Sequence, residues 1–565
     1  MSEVRRLPAA VNAVAEPMEL MLALIVAAVV TVVLIPLLEK QAAALNVLDV
    51  PGGRKAHERI VPRVGGIAMA GGAAVALLIW LPPDRGLVAV LLACAILLAF
   101  GVWDDRADLK PGIKFFGQLL AVAIVVFFAD VLIHSITFAG RIELPGWLAY
   151  PLTFLVLLGV TNAINLADGL DGLAGGTTFL CCAALAVLSF GSELGFVTLS
   201  AFALMGALLG FLRYNSYPAR IFMGDGGSQL LGFGVGILAI YLTQSEALPY
   251  SAALPVLLLG LPILDMITVI AIRLREGRSP FSADRNHLHH RLLVLGFEHW
   301  ESVVVIYLLQ AILFFAAWLL RYQSDLLILA VFGMFAAVLL TSLFGAEGSG
   351  WRRVHAVESG PTIGQRIQHR LTWLRAAPRL PRWSHALAWS CVCTYVLAIA
   401  ATATGVDPDL AWLALGVAMS LGVAGLLPIR EGGPLERVAH GAMFVGAVLI
   451  VFLDHIESQK PEWLTWPKIA LFLLLAGAVL LRLRLSLERR FQLTPMDVLV
   501  VFVALVVPNL PGLRGAPSNL GFSVAKVIVL FYAVELLSGA SPRVRRWLWR
   551  GTATGFAVLA VRGLG

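Results

Sequence analysis

The run from Met18 to Leu38, MELMLALIVAAVVTVVLIPLL, decides the fold of this chain. Glu19 is its single charged residue, and a helix of about 20 apolar residues spans the roughly 30 Å hydrocarbon core of a bilayer. The run lacks a small-x-small cleavage site, so we expect a retained transmembrane helix rather than a signal peptide.

The whole 565-residue chain shares this apolar character. Hydrophobic residues make up 59% of it and charged residues 14%, and the mean hydropathy is +0.86. A soluble protein of this size needs more polar surface than that. We therefore predict an all-α polytopic integral membrane protein, which excludes disordered chains, disulfide scaffolds, coiled coils and most soluble folds.

Apolar runs of about 17–25 residues predict about eleven spans in a first block and about six in a second. The runs of the first block are 18–38, 65–81, 87–103, 115–133, 150–166, 173–190, 195–213, 228–243, 250–273, 303–320 and 325–345. Those of the second block are 384–404, 409–428, 438–453, 467–483, 496–508 and 522–538. The arginine-rich stretch 346–383 predicts a basic cytoplasmic linker between a 1–345 membrane core and a 384–565 accessory transmembrane domain of unknown role.

Lysine and arginine cluster in alternate loops of this predicted topology. The loop after the first span is rich in both, and placing it in the cytoplasm brings the other basic loops to the same side. The N-terminus is then outside and the C-terminus cytoplasmic. The net charge of +7 is therefore a topology signal rather than a nucleic-acid footprint, and we expect no nucleic-acid partner.

A first polar cluster, Asp104-Asp105-x-x-Asp108, lies at the predicted inner end of the third span. On a continuing helix Asp104 and Asp108 share one face, and Asp105 points about 100° away. Neighbouring carboxylates in a poorly solvated place raise each other's pKa or require a cation. A solvated helix end, neutralised by Arg106 and Lys110, remains the alternative.

A second cluster, Asn162-x-x-Asn165-x-x-Asp168-x-x-Asp171, places four polar side chains at a spacing of three. That spacing keeps them on one stripe of a helix. Amide and carboxylate oxygens are the ligands that Mg²⁺ takes while it keeps several waters. An ordinary turn between spans would explain the nearby glycines but not the polar residues.

Two further clusters follow on the same predicted side of the membrane. The glycine-flanked Asp225 suits a metal site beside free amide groups, although an N-cap aspartate explains it equally well. The fourth cluster, Asp284-Arg-Asn-His287-Leu-His289-His290-Arg291, combines three histidines with two arginines, which favours phosphate recognition over zinc. A solvated basic loop is its alternative. Together the four clusters indicate phosphoryl or nucleotide chemistry at the bilayer surface.

These four clusters, with Arg54-Lys-Ala-His57 and Pro62-Arg-Val-Gly-Gly66, resemble the motifs of the polyprenyl-phosphate N-acetylhexosamine-1-phosphate transferases, glycosyltransferase family 4. The His-x-His-His form is similar to the bacterial undecaprenyl-phosphate GlcNAc-1-phosphate transferases. The peptidoglycan branch usually has three consecutive histidines followed by a Phe-Glu pair, whereas Arg291 follows here. The resemblance covers roughly residues 18–345, and the second block resembles no family.

The resemblance implies a role for each matching residue. The catalytic residues would be Asp104, Asp105, Asp168 and Asp171, with Asp104 as the candidate base for the lipid phosphate. The substrate-binding residues would be Lys55, Arg63, Asn162, Asn165, Arg285, His287, His289 and His290. The metal ligands would be Asp225, Asn165 and Asp168.

The resemblance also implies a reaction. A Mg²⁺-dependent enzyme, with Mn²⁺ as the alternative metal, would transfer HexNAc 1-phosphate from a UDP-N-acetylhexosamine to undecaprenyl phosphate and release UMP. This would be the priming step of a cell-surface polysaccharide such as O-antigen, in the bacterial inner membrane with a cytoplasmic active site. A homodimer is left open. The alternatives are the phospho-MurNAc-pentapeptide transferase of peptidoglycan synthesis and, in another class, a lipid-linked sugar flippase.

Overall fold

The computed structural model describes most of the chain and divides it into two compact units. The described residues are 17–49, 60–138, 140–279, 286–353, 380–403, 406–427, 433–456, 465–485, 541–564 and a set of short helical pieces between 526 and 537. Elements up to residue 353 belong to the first unit, and the helices from Leu380 onward belong to the second.

Helices account for nearly all regular structure in the first unit, so the predicted all-α membrane fold is confirmed. The first eight helices are α1 (Pro17–Gln41), α2 (Gly65–Trp80), α3 (Arg85–Ala107), α4 (Pro111–Phe128), α5 (Gly146–Ala167), α6 (Leu173–Ser189), α7 (Gly195–Asn215) and α8 (Gly224–Gln244). The other five are α9 (Leu254–Leu258), α10 (Gly260–Arg275), α11 (Leu288–Val294), α12 (His299–Leu320) and α13 (Asp325–Gly348). Within the described ranges of the whole chain, nine helices are long and apolar enough to cross a membrane, and shorter apolar helices accompany them.

The predicted span 250–273 is not one helix. It breaks at Leu259 into the short α9 and the longer α10. Pro262 has no N–H to donate to the carbonyl of Leu258, and its ring would clash with that carbonyl in a continuous helix. The freed oxygen of Leu258 instead accepts from Gln310 Nε2 at 2.8 Å and from Cys181 Sγ at 3.1 Å. These two contacts satisfy the exposed backbone of the break.

Two small antiparallel hairpins connect the helices of this unit. Strands β1 (Leu48–Asp49) and β2 (Val61–Pro62) form one pair, and β3 (Ser135–Thr137) and β4 (Arg141–Glu143) form the other. The chain after β2 runs beside the segment before α8, because Phe222 N donates to Pro62 O and Gly65 N donates to Phe222 O, each at 2.9 Å. The chain from Pro62 to Gly65 is thereby fixed against the segment before α8.

Glycines allow α8 to approach its neighbours closely at its first turn. A Cβ on Gly101 of α3 would collide with the backbone of Gly226, and one on Gly66 of α2 would collide with the backbone of Gly227. A helix crossing this close needs residues without side chains at the contact. The start of α8 therefore lies against the C-terminal end of α3.

The second unit contains the helices α14 (Leu380–Thr402), α15 (Pro408–Leu426), α16 (Pro434–Ile456), α17 (Thr465–Leu485) and α18 (Pro542–Leu564). The first four match predicted spans, and the predicted span 496–508 lies outside the described residues.

The predicted spans end at residue 538, but residues 542–564 form a further helix, α18, which packs against α15 and α14. Several arginines lower the mean hydropathy of α18, so the segment does not stand out in the sequence as an apolar run. Two of them bind helix ends, since Arg550 Nε donates to Gly425 O at 2.8 Å and Arg562 Nη1 donates to Ala403 O at 2.9 Å. Such contacts satisfy the last carbonyls of a helix.

The first unit also extends beyond the predicted boundary at residue 345. Helix α13 continues to Gly348, and Glu347 forms a 2.8 Å ion pair with Arg291 of α11. Arg353 donates its backbone N–H to Leu295 O at 2.8 Å and pairs with Glu301 at 2.7 Å. Residues 346–353 are thus packed against α11 and α12 rather than serving as linker.

Candidate active site

Asp104 lies in the last turn of α3 and is almost fully buried. Its Oδ2 contacts Lys114 Nζ of α4, and its Oδ1 accepts a 2.8 Å hydrogen bond from Leu109 N. The helix ends at Asp108, which adopts the left-handed conformation that turns the chain back toward α4. This turn is what brings Lys114 over Asp104.

Asp105 anchors the first basic loop. Arg63 Nη1 donates to Asp105 Oδ1 at 3.0 Å, and Arg63 Nη2 donates to Asp49 Oδ1 of β1 at 2.9 Å. Burial alone would lower the pKa of Arg63, but the two carboxylates more than offset it and raise that pKa. The guanidinium is therefore a fixed cation between α3 and the β1–β2 hairpin.

Asp225, in the first turn of α8, joins this pair of helices to α5. Its backbone N–H donates to Asp105 Oδ1 at 3.3 Å, and its carboxylate lies 3.5 Å from Lys114 Nζ. Asn165 Nδ2 of α5 lies 3.5 Å from Asp225 Oδ1 and donates to Ser228 Oγ at 2.8 Å. The Asp225 side chain remains 39% exposed, so its oxygens are accessible to a ligand.

One turn below, an amide network holds α4, α5 and α8 together. Asn162 Nδ2 donates to Gln118 Oε1 at 2.9 Å, and Gln118 Nε2 donates to Gln229 Oε1 at 3.2 Å. Gln118 and Gln229 are each 4% exposed. Asn162, predicted to bind substrate, therefore fixes the helices beneath the carboxylates.

Asp168 follows the last residue of α5 and lies near Asp225 and Asp105. Asp168 is exposed as a residue, but protein atoms surround its carboxyl group. That enclosure, followed by the negative charges of Asp225 and Asp105, raises the pKa of Asp168 to about 7. A shift of this cause means that a cation placed here would be bound favourably, since it would stabilise the ionised form.

Asp171 connects the turn after α5 with the segment before α8 and with the start of α12. Its Oδ2 accepts a 2.8 Å hydrogen bond from Ala219 N, and its backbone N–H donates to His299 Nε2 at 3.2 Å. The ring of His299 stacks on Tyr217 with centroids 4.5 Å apart. The structure thus gives this predicted catalytic residue a place in the wall of the site.

The donor set suits a hard cation held by few protein ligands. No group of three or more His, Cys, Asp or Glu side chains in the described ranges is arranged to hold a metal ion. Mg²⁺ does not need one, because it binds through one or two carboxylates and completes its shell with waters and substrate phosphates. Asp225 and Asp168 match that requirement, whereas Asn165 directs its amide nitrogen, not its oxygen, toward Asp225.

The histidine segment forms the short helix α11 and adjoins the carboxylates. His289 is 3% exposed, and its ring lies directly against Gly169, where a Cβ would collide with it. Burial, followed by the neighbouring His290 and His287, lowers the pKa of His289 to about 3. This shift favours the neutral form of the His289 ring, and its role in substrate binding stays a prediction.

The structure therefore gathers most of the predicted residues around one site. Lys55 and Arg285 lie outside the described residues, so their roles stay predictions. The sequence reasoning missed several residues that contact predicted site residues, among them the charged residues Lys114, Asp49 and Asp265. Asp265 carried a usable signal, since an isolated carboxylate in an apolar run is expensive unless it has a function.

Comparison with known proteins gives consistent matches. Residues 87–243 match the family model described as glycosyl transferase family 4. A Bacillus subtilis protein described as a probable undecaprenyl-phosphate N-acetylglucosaminyl 1-phosphate transferase is 35% identical over 335 residues, which cover 59% of this chain and 92% of that protein.

Two further relatives have related descriptions. The undecaprenyl-phosphate alpha-N-acetylglucosaminyl 1-phosphate transferase of Yersinia pestis is 34% identical over 284 residues, 48% of this chain and 77% of the relative. The decaprenyl-phosphate N-acetylglucosaminephosphotransferase of Mycobacterium leprae is 35% identical over 334 residues, 53% of this chain and 83% of the relative.

Proposed function

The chain belongs to glycosyl transferase family 4, and from that premise we propose that it transfers N-acetylglucosamine 1-phosphate from UDP-GlcNAc to undecaprenyl phosphate. It is a multi-pass membrane enzyme of the phosphotransferase class. A lipid phosphate oxygen would attack the phosphorus next to the sugar, a new P–O–P linkage would form, and UMP would leave. The product, undecaprenyl-pyrophosphoryl-GlcNAc, would prime a cell-surface polysaccharide.

The observation that carries this proposal is the meeting of α3, α5 and α8 at one set of carboxylates. Asp105, Asp225 and Asp168 interact across three helices. Lys114 and Arg63, which are 29% and 27% exposed, lie at its edge. Both substrates are phosphate esters, so positioning and charge neutralisation would supply most of the catalysis.

The two cations have a clear role in this scheme. Asp104 and Asp105 are nearly buried, and each already binds a cation. The carboxylates would hold Lys114 and Arg63 in place to receive the lipid phosphate or the pyrophosphate of the sugar nucleotide. A phosphate monoester is already anionic near pH 7, so the proposed base function of Asp104 would contribute less than this positioning.

Mg²⁺ is the metal that we propose for the site. Asp225 and Asp168 would hold it, and Asn165, whose amide nitrogen faces Asp225 and Ser228, would position Asp225 beside the metal. The bound metal would neutralise charge on the transferred phosphoryl group. The clustering of lysine and arginine in alternate loops supports a position for this chemistry on the cytoplasmic face of the bacterial inner membrane.

The test is UMP release by the purified full-length protein in lipid nanodiscs with Mg²⁺ and undecaprenyl phosphate. We expect UMP with UDP-GlcNAc, and less with UDP-GalNAc, UDP-glucose or UDP-MurNAc-pentapeptide. Release that needs UDP-MurNAc-pentapeptide would move the enzyme to the peptidoglycan branch. No release with any of these sugar nucleotides would refute the proposed function.

A further inference from the structure

One carboxylate from a neighbouring helix holds the first histidine of the α11 segment. Asp265, in the second turn of α10, places Oδ2 at 2.8 Å from His287 Nδ1. Its Oδ1 accepts a 2.7 Å hydrogen bond from Leu288 N, the first residue of α11. The side chains of Asp265 and His287 are 11% and 8% exposed.

A purely structural cap would not require this arrangement. The backbone of α11 could be capped by one bond to Leu288 N, as an asparagine or serine oxygen provides elsewhere. Here the second carboxylate oxygen of Asp265 contacts the imidazole ring of His287. Placing a carboxylate in an apolar helix is costly, which favours a function for the contact with His287.

The contact fixes the chemistry of the ring. A carboxylate accepts only, so Nδ1 of His287 must carry the hydrogen, and Nε2 is left as the nitrogen available to a ligand. The same pairing of a carboxylate with one ring nitrogen orients histidines that act through the other nitrogen. The ring is also held parallel to that of His289, with an interplanar angle of 9°.

Building on the proposed function, we infer that Asp265 is a positioning residue for the sugar nucleotide. It fixes the ring and tautomer of His287 so that Nε2 meets the phosphate or sugar of UDP-GlcNAc. Asparagine at this position would fit the same space, but its amide group can donate to Nδ1 and thereby favours the other tautomer. Asp265→Asn is therefore a change of chemistry with little change of shape.

The experiment is a double-mutant cycle with Asp265→Asn, His287→Ala and the combined variant in nanodiscs. It measures UDP-GlcNAc affinity by calorimetry and, separately, KM for each substrate. We expect Asp265→Asn to weaken UDP-GlcNAc binding about tenfold, the loss of one charge-assisted contact, with KM for undecaprenyl phosphate unchanged. The double variant should match His287→Ala alone, because the pair acts as one unit.

The matched control is Asp130→Asn, the same chemical change at an exposed residue outside the site, and it should leave affinity unchanged. Additive effects of the two substitutions, or equal rises in KM for both substrates, would overturn the positioning role. The calorimetry keeps this test apart from the proposed function: a wild type that binds UDP-GlcNAc but releases no UMP contradicts the function, whereas coupling between Asp265 and His287 still supports the inference.

Discussion

Two clusters of charged side chains, one in each unit, contain the same residue types but differ in how completely their carboxylates are paired. In the second unit Asp454 is 3% exposed at its side chain, and both its oxygens are occupied. Oδ1 pairs with Lys468 at 2.8 Å, and Oδ2 accepts from Tyr395 at 2.9 Å and pairs with Lys526 at 2.5 Å.

In the first unit the corresponding contacts are looser. Asp225 is 39% exposed and lies 3.5 Å from both Lys114 and Asn165, and Asp168 is an exposed residue. A buried carboxylate with short bonds to every oxygen ties helices together. Carboxylates that are close but incompletely paired have oxygens to give to a metal or substrate.

The largest effect on activity should follow removal of one charge from the incompletely paired carboxylates of the first unit. We expect Asp225→Asn to lower UMP release at least roughly 1,000-fold, since it removes a proposed metal ligand from the transition state. Size-exclusion elution in detergent and thermal stability should match the wild type. Turnover within tenfold of wild type at saturating Mg²⁺ would take Asp225 out of the metal shell.

Breaking the contacts of Asp454 in the second unit should lower the stability of the protein but not its turnover. Asp454→Ala leaves Lys468 and Lys526 without their shared partner, and breaking a buried ion pair costs about 3–5 kcal/mol. We expect a clear drop in Tm but unchanged turnover per folded molecule. A variant of normal stability with reduced turnover would show that the second unit takes part in the chemistry.

A smaller effect should come from the histidine segment. His290→Ala removes a ring next to His289, with centroids 4.2 Å apart, on the side of the site assigned to the soluble nucleotide. We expect KM for UDP-GlcNAc to rise by roughly tenfold or less. If KM for the lipid rises instead, the assignment of α11 to the nucleotide is wrong.

The smallest effect is the expected difference in KM between two truncated forms of the chain. A protein ending after residue 353 keeps the Glu347–Arg291 and Arg353–Glu301 pairs, and we propose that it retains the transferase activity of the full chain. Ending at residue 345 removes both contacts with α11 and α12, and should raise KM for UDP-GlcNAc a few-fold. Equal kinetics of the two would show that residues 346–353 do not support the histidine segment.

Sequence patterns predicted the helical segments of the first unit because a membrane span must satisfy its own backbone and remain apolar. They also predicted that Asp105, Asn165 and Asp225 belong together. The break at Leu259 was missed because two short helices have the same hydropathy as one long helix. Pro262 was its visible signal.

Partners that depend on helix crossing could not be predicted in this way. Lys114 reaches Asp104 only because the chain reverses at Asp108, and Asp265 reaches His287 only through the packing of α10 on α11. Helix α18 was missed for another reason: arginines that bind neighbouring carbonyls look, in the sequence, like a solvated tail. Burial of His289 likewise follows from its packing on Gly169, which the spacing of the histidines does not contain.

The central claim is that the sugar moves together with its phosphate, and an isotope decides it. Purified protein in nanodiscs would receive UDP-GlcNAc labelled with ³²P in the phosphate next to the sugar, with undecaprenyl phosphate and Mg²⁺. We expect the label in the lipid fraction and unlabelled UMP in solution, and neither with Asp225→Asn. Label retained in soluble UDP while GlcNAc passes to the lipid would contradict phosphosugar transfer and show transfer of the sugar alone.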